Sequence, residues 1–334
     1  MKAAQFIGTA GGLEKNLQFN STASPPAATL KPGELTVEVI SAALNPVDHK
    51  IPELPIVGRF VPSRPASPGM DYCGKVVATG SKASADFKSG QFVFGKLDNV
   101  TKFGTLGQFI TAQRVGAALL PNGVNPDQAA AIGVAGLTAY QCLIPNCKRG
   151  DRIFIHGGSG GTGTFGIQYA KIQGCHVTTT CSSDGVQLCK DLGADEVIDY
   201  KTTDVIGTLK AKGPGYFSLV VDNVGTPSNL YKASDDFLDG KYVQIGGEST
   251  FTTTYELLSR MFWPTILGGG KAPFQFLSLK ADSEQLAQTA QWIKEGKMKA
   301  MIDSTYELEE AAKAYQKLKF GKPRGKVVVH VTEP

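Results

Sequence analysis

The chain has no CxxC pair and no other cysteine spacing that suits a zinc knuckle or a thioredoxin centre. Its six cysteines, Cys73, Cys142, Cys147, Cys175, Cys181 and Cys189, are scattered along 334 residues. That pattern reads as reduced core residues of a cytoplasmic protein. No run of about 20 apolar residues is present to span a bilayer, and no signal-length apolar run follows Met1. Runs of Lys and Arg are missing too, and a net charge of +4, from 34 basic and 30 acidic residues, gives no basic patch. These shortages argue against a disulfide scaffold, a membrane-spanning helix and a nucleic-acid partner. What remains is an ordinary globular composition, 42% apolar and 19% charged, at a length that suits two domains.

Glycine, by contrast, is plentiful, and it concentrates in Arg152-Ile-Phe-Ile-His-Gly-Gly-Ser-Gly-Gly-Thr-Gly-Thr-Phe-Gly-Ile167. A short apolar run ends in glycines and a helical pattern follows, so Gly158-x-Gly160-x-x-Gly163 sits between a strand and a helix. In a dinucleotide loop the first glycine permits the turn and the second lets a pyrophosphate approach the backbone. The third lets helix and strand pack closely, and the helix N-terminus offers free N–H groups. Gly158, Ser159, Gly160, Gly161, Thr162 and Gly163 are therefore expected to cradle a cofactor. Two other readings stand beside this one. The turn could be a plain connector, at an entropic cost. The same residues also spell Gly157-x-Ser159-x-Gly161, the elbow of a serine hydrolase, for which only His176 and His330 follow Ser159.

Residues 1–122 read as β-rich, with strands near 2–7, 35–44, 74–80, 91–95 and 108–111 in a small barrel-like domain. The segment from Pro46 to Gly69 carries Pro52, Pro55, Pro62, Pro65 and Pro68 and is expected to be irregular. Asn125-Pro126-Asp127 reads as a helix start. Strands near 153–156, 175–181, 196–200, 217–222, 241–245 and 274–278 then alternate with helices, the last of these near 254–262. That is the content of a six-stranded, doubly wound parallel sheet. Helices are expected at 283–295 and 306–320, and the strand 326–331 is expected to rejoin the N-terminal domain. The expected division is 1–122 plus 280–334 against 123–279.

Several segments together resemble the zinc-free quinone oxidoreductase (zeta-crystallin-like) branch of the medium-chain dehydrogenase/reductase superfamily. They are Ala43-Leu-Asn-Pro-Val-Asp48, Pro68-Gly-Met-Asp-Tyr-Cys-Gly-Lys-Val-Val77, Ala135-Gly-Leu-Thr-Ala-Tyr140, His156 to Gly163, Leu192-Gly-Ala-Asp-Glu-Val-Ile-Asp-Tyr200 and Gly325-Lys-Val-Val-Val329. The resemblance implies an α/β chain with a GroES-like β domain, a Rossmann domain and an active site in the cleft between them. It also implies no metal. The alcohol-dehydrogenase branch has a Cys where this chain has Asn45, a His-Glu pair at Met70-Asp71 and often a Cys at Ala135, and Asp71 alone cannot hold zinc.

The same resemblance implies a site. Residues matching Asn45, Asp48 and Thr138 flank the nicotinamide in relatives, and Arg59 or Asn45 is a candidate donor to a developing oxyanion. The second Rossmann strand ends in Cys181-Ser182-Ser183 without an acid for the ribose, and Asp184 is two residues too far. Ser182, Ser183 and the family's tyrosine, Tyr200, therefore favour NADPH. Relatives carry Lys or Arg near Gly185 and this chain does not; Lys201 or Arg324 is the candidate cation. Asn223, Ile245 and Gly246 complete the expected cofactor set. The expected reaction is hydride transfer to an enone, enal or quinone. The alternatives are an enoyl reductase of a biosynthetic pathway, such as polyketide or secondary-metabolite assembly, and a non-enzymatic NADPH-binding protein. A monomer or a homodimer through 274–278 is expected.

Overall fold

The computed structural model describes residues 1–55, 58, 62–247, 260 and 270–333. The chain forms two compact units, Met1–Leu137 with Lys280–Pro334, and Thr138–Leu279. The first division falls inside a helix, downstream of the 122–123 junction expected from sequence.

The first unit carries strands β1 (Ala3–Gln5), β2 (Gln18–Asn20) and β3 (Glu34–Ala43), then helix α1 (Pro46–Glu53). Strands β4 (Asp71–Thr79), β5 (Phe92–Lys96), β6 (Phe109–Gln113) and β7 (Ala117–Leu119) follow. Strand β3 organises the unit. It pairs with β4 along its length, with β6 over Glu34–Glu38 and with the C-terminal strand over Ser41–Ala43. That explains its pattern: the first half alternates, while the second half is apolar on both faces and buried. Leu35, Val37, Val39, Tyr72, Val76, Val93, Ile110, Val327 and Val329 share one buried cluster. Burial of each large side chain contributes about 1.5–3 kcal/mol.

Helix α1 corrects the expectation that prolines keep 46–69 irregular. Asn45 caps the helix and Pro46 occupies its first position, where a missing N–H costs nothing. Asp48 Oδ2 accepts from the Asn45 backbone N at 2.7 Å, closing a capping box. Pro52 falls in the last turn and removes a single helical bond. A second correction concerns 306–320. Residues Ile302–Glu307 form a strand, and the helix begins only at Ala311.

The second unit begins within helix α2 (Pro126–Leu143), whose start is fixed by the Asp127 N–H donating to Asn125 Oδ1 at 2.8 Å. Then come β8 (Arg152–His156), α3 (Gly161–Ile172), β9 (His176–Cys181), α4 (Val186–Asp191), β10 (Glu196–Asp199), α5 (Val205–Lys210), β11 (Phe217–Asp222), α6 (Leu230–Ala233), β12 (Leu238–Gln244) and β13 (Phe274–Phe276). Among the described residues the sheet runs β10-β9-β8-β11-β12-β13, and every pairing is parallel. This is the doubly wound order, and the strand order reverses between β8 and β11. The helix expected at 228–238 ends early, because β12 already starts at Leu238. The helix expected near 254–262 lies outside the described residues apart from Arg260. The remaining strands, β14 (Ile302–Glu307) and β15 (Lys326–His330), return to the first unit, where β15 pairs antiparallel with β3.

Candidate active site

The glycine cradle sits where β8 gives way to α3, at the reversal point of the parallel sheet, where ligands bind in such folds. Each glycine has its own reason. The chain turns at Gly157, with φ +82°, rather than at Gly158 as the sequence suggested. A Cβ on Gly158 would lie 2.1 Å from Thr179 Oγ1, and one on Gly163 would lie 2.1 Å from the Gly157 carbonyl oxygen. Gly160 is different: a Cβ there meets only the Gly157 oxygen, at 3.7 Å. So Gly158 and Gly163 are packing positions and Gly160 faces open space. No side chain caps α3 at Gly160, which leaves its N-terminal N–H groups for an anion. The residues present fit a bound pyrophosphate.

A row of threonines on β9, unnoticed in the sequence, fixes this loop. Thr180 Oγ1 accepts from Gly157 N at 2.9 Å and pairs with His156 Nδ1 at 2.6 Å, and Thr179 Oγ1 donates to the Ile155 carbonyl at 2.6 Å. All three threonines from Thr178 to Thr180 are buried. Their signal was present as β-branched polar residues in a strand with no solvent face.

Most of the expected cofactor residues gather at the C-terminal ends of these strands. Ser182 and Ser183 follow β9, and Tyr200 follows β10 with 47% of its surface exposed. Asn223 follows β11, and its Nδ2 donates to the His156 carbonyl at 2.9 Å. Its Oδ1 is buried without a partner, an acceptor left for a ligand donor. Ile245 and Gly246 follow β12, and a Cβ on Gly246 would strike the Asn223 carbonyl at 2.1 Å. The serine-hydrolase reading finds no support. His176 stands at the start of β9, the opposite strand end from the loop that carries Ser159, and His330 pairs with Asp127 in the other unit.

In the first unit Asn45 and Asp48 come together with Asp71, weighed from sequence only as a metal ligand, and with Lys326, which sequence reasoning had not joined to them. Lys326 Nζ donates to Asn45 Oδ1 at 2.5 Å, to the Leu44 carbonyl at 2.9 Å and to Asp71 Oδ2 at 3.3 Å. Asn45 Nδ2 donates to Asp71 Oδ2 at 2.8 Å and more weakly to the Ala43 carbonyl at 3.4 Å. Asp71 Oδ1 accepts from Val134 N at 2.7 Å, with Gly133 pressed against it: a Cβ there would lie 2.2 Å away. Asn45, Asp48, Asp71 and Lys326 are all buried. An ammonium group thus joins Asn45 and Asp71, and this donor set does not fit zinc. The signal for Lys326 was a lysine opening an otherwise apolar strand.

Burial, and then the charge of Asp71, push the Asp48 carboxyl up to about 8; burial also raises Asp71. The Tyr315 phenol lies close enough to bias Asp48, yet neither Asp48 Oδ1 nor the Tyr315 hydroxyl completes a hydrogen bond of normal geometry. An unfolded aspartate titrates near 3.9. The folded state therefore prefers the protonated acid, and this stability is full below about pH 4 and is lost as pH rises toward 8. Asp48→Asn should flatten that slope. The amide oxygen still accepts from Asn45 N, and its NH2 turns toward Tyr315. Urea unfolding at pH 5 and pH 8 should show the variant gaining at least about 1.4 kcal/mol on wild type between the two. An unchanged slope would place the titration elsewhere.

The other expected residues lie on separate elements. Thr138 is buried on α2 at the start of the second unit. Arg324 is exposed before β15 in the first unit, where its N–H donates to Asp303. His49 pairs with Glu53 along α1. Arg59 lies outside the described residues.

Comparison with known proteins gives a consistent set. An alcohol dehydrogenase GroES-like domain model matches residues 31–122, and a zinc-binding dehydrogenase model matches 192–329. The trans-enoyl reductase pgmF of Aspergillus terreus is 46% identical over 348 residues, covering 100% of this chain and 97% of that protein. The quinone oxidoreductase of Coxiella burnetii superposes with TM-score 0.84 at 26% identity, covering 99% of each chain. The Escherichia coli quinone oxidoreductase solved with NADPH shares the fold, with TM-score 0.79 at 23% identity over 99% of this chain and 100% of that one.

Proposed function

We propose a reaction for this chain, which belongs to the zinc-free quinone oxidoreductase branch of the medium-chain dehydrogenase/reductase superfamily and is an oxidoreductase. It reduces the carbon–carbon double bond of an enoyl group conjugated to a carbonyl, at the expense of NADPH. One observation carries the cofactor half: a glycine cradle, open at Gly160, under an uncapped helix at the reversal point of a parallel sheet. Ser182 and Ser183, in place of an acid directly after β9, support NADPH over NADH. The substrate half rests on the 46% identity to a trans-enoyl reductase along the whole chain. Quinone reduction is the second reading, favoured by the likeness to the Coxiella burnetii enzyme.

When bound, NADPH would supply a hydride for the β-carbon, with charge developing on the carbonyl oxygen and solvent the source of the proton at the α-carbon. The chain's residues hold and orient. The 158–163 loop would hold the pyrophosphate, and Asn223 Oδ1, buried without a partner, would accept from the cofactor. Thr138, and Arg59 beyond the described residues, are the proposed donors near the nicotinamide and the oxyanion. Asn45 serves here as an organiser of α1, because its amide hydrogens are directed to Asp71 and Ala43.

The test is NADPH oxidation against three acceptors: an enoyl thioester, a 2-alkenal and a quinone. Turnover is expected to be fastest with the enoyl thioester. Folded protein inactive with all three sinks the proposal, and turnover with the quinone alone replaces it by the second reading.

A further inference from the structure

An acid from the neighbouring strand stands beside the loop that follows β9. In doubly wound folds the group just past the second strand chooses between a ribose 2′-OH and a 2′-phosphate. Here that strand is β9, and the loop after it packs directly on the cradle. A Cβ on Gly185 would lie 2.8 Å from Ser159 Cβ and 3.1 Å from Cys181 Cβ. Strand β10 runs beside β9 in parallel register, with Asp199 opposite Cys181. Both strands therefore end together, and the Asp199 carboxylate stands next to Ser182-Ser183. The Ser183 hydroxyl donates to Asp199 Oδ2 at 2.5 Å, and Lys201 N donates to Oδ1 at 3.0 Å. The hydroxyl best placed for a 2′-phosphate is already committed to a carboxylate. Lys201, the candidate cation, follows two residues later and is exposed.

We infer that Asp199 limits how strongly this chain prefers NADPH: its carboxylate holds Ser183 and disfavours a 2′-phosphate, and so narrows, without reversing, the preference that Ser182 and Ser183 confer. A ribose hydroxyl can donate to the Asp199 carboxylate with Ser183 left in place. A 2′-phosphate, carrying nearly two negative charges, must draw Ser183 away from Asp199 and remain beside the carboxylate. The two nucleotides therefore differ in what Asp199 does to them. This inference rests on the reductase reading above.

The experiment measures Kd for NADPH and NADH by calorimetry with the full-length wild type and Asp199→Asn, with 2′,5′-ADP and 5′-AMP as competitors. Asparagine keeps an acceptor for Lys201 N, removes the charge and turns an NH2 toward the Ser183 hydroxyl, which then accepts instead of donating, and thermal melting checks that the variant is folded. NADPH and 2′,5′-ADP should bind about tenfold more tightly to the variant at low salt, and less so at high salt. NADH and 5′-AMP should stay within about twofold or weaken. An unmoved NADPH-to-NADH ratio overturns the inference while leaving the reductase reading intact. Equal weakening of both nucleotides also overturns it, since it marks Asp199 as a turn-capping residue alone. Wild type that binds neither nucleotide overturns the inference and the reductase reading together.

Discussion

Gly160→Ala should lose NADPH affinity by about a hundredfold and melt at the wild-type temperature, whereas Gly163→Ala should lose both affinity and stability. The two positions lie three residues apart in one loop and differ in what a methyl group would meet. At Gly160 the nearest atom to a Cβ is the Gly157 oxygen at 3.7 Å, ordinary contact, so the fold accommodates alanine. The methyl then occupies the space that a pyrophosphate needs. Displacing a phosphate from several backbone N–H groups costs about 3 kcal/mol, which is about two orders of magnitude in Kd. At Gly163 a Cβ would meet the Gly157 oxygen at 2.1 Å and Gly158 Cα at 2.7 Å. Both are backbone, and Gly157 is tied down through its N–H to Thr180 Oγ1. Helix α3 has to move away from β8, an overpacking that costs about 1–3 kcal/mol in addition to the loss of the anion site. Nucleotide titration and thermal melting of both variants check this. Wild-type affinity in Gly160→Ala would show that the pyrophosphate lies elsewhere.

That contrast also shows what a sequence can disclose. The strand, glycine cluster and helix at 152–167 announce themselves because the chemistry is local: turn, cradle and helix end lie within one short stretch. The division of labour among the glycines was not legible, since Gly158 is required by Thr179 on the next strand and Gly163 by the backbone of Gly157. The six parallel strands were legible from alternation, and β3 from its change of pattern midway. Helix α1 was missed because five prolines outweighed one capping box. The decisive detail was that Pro46 falls at the first position of the helix, where proline is tolerated, and Pro52 in its last turn, where it removes a single helical bond.

Contacts distant in sequence were the least legible. The bond between Ser183 and Asp199 joins the ends of two strands, so nothing in the sequence near β9 announced a carboxylate beside Ser183. Asp71 was weighed as a metal ligand and dismissed, and its actual partner stands 255 positions away. Nothing local in Lys326-Val-Val-Val marks the lysine as the counter-charge of Asp71. Only the pairing of β15 with β3, and of β3 with β4, carries it there.

Lys326→Met should be the most damaging single change in the first unit, costing about 3–5 kcal/mol at neutral pH. The ammonium joins Asn45 Oδ1, Asp71 Oδ2 and the Leu44 carbonyl, and all of these lie inside the protein. Methionine fills the volume of the stem and removes the charge. Asp71 is then a buried carboxylate whose remaining bonds come from Val134 N and Asn45 Nδ2, and Asp48 is a second acid close to it. Burial already raises both carboxyls, and removal of the cation raises them further, so the loss should shrink as pH falls and both acids take up protons. A typical domain has only about 5–15 kcal/mol in total, so the variant should unfold at much lower urea than wild type. The pairing itself is measured by adding Asp71→Asn, which keeps an acceptor for Val134 N and removes the orphaned charge. The double variant should recover at least about 1 kcal/mol relative to Lys326→Met alone. A cost below about 1 kcal/mol for Lys326→Met at pH 7, with no recovery in the double variant, would show that the ammonium is not what holds Asn45 and Asp71 together.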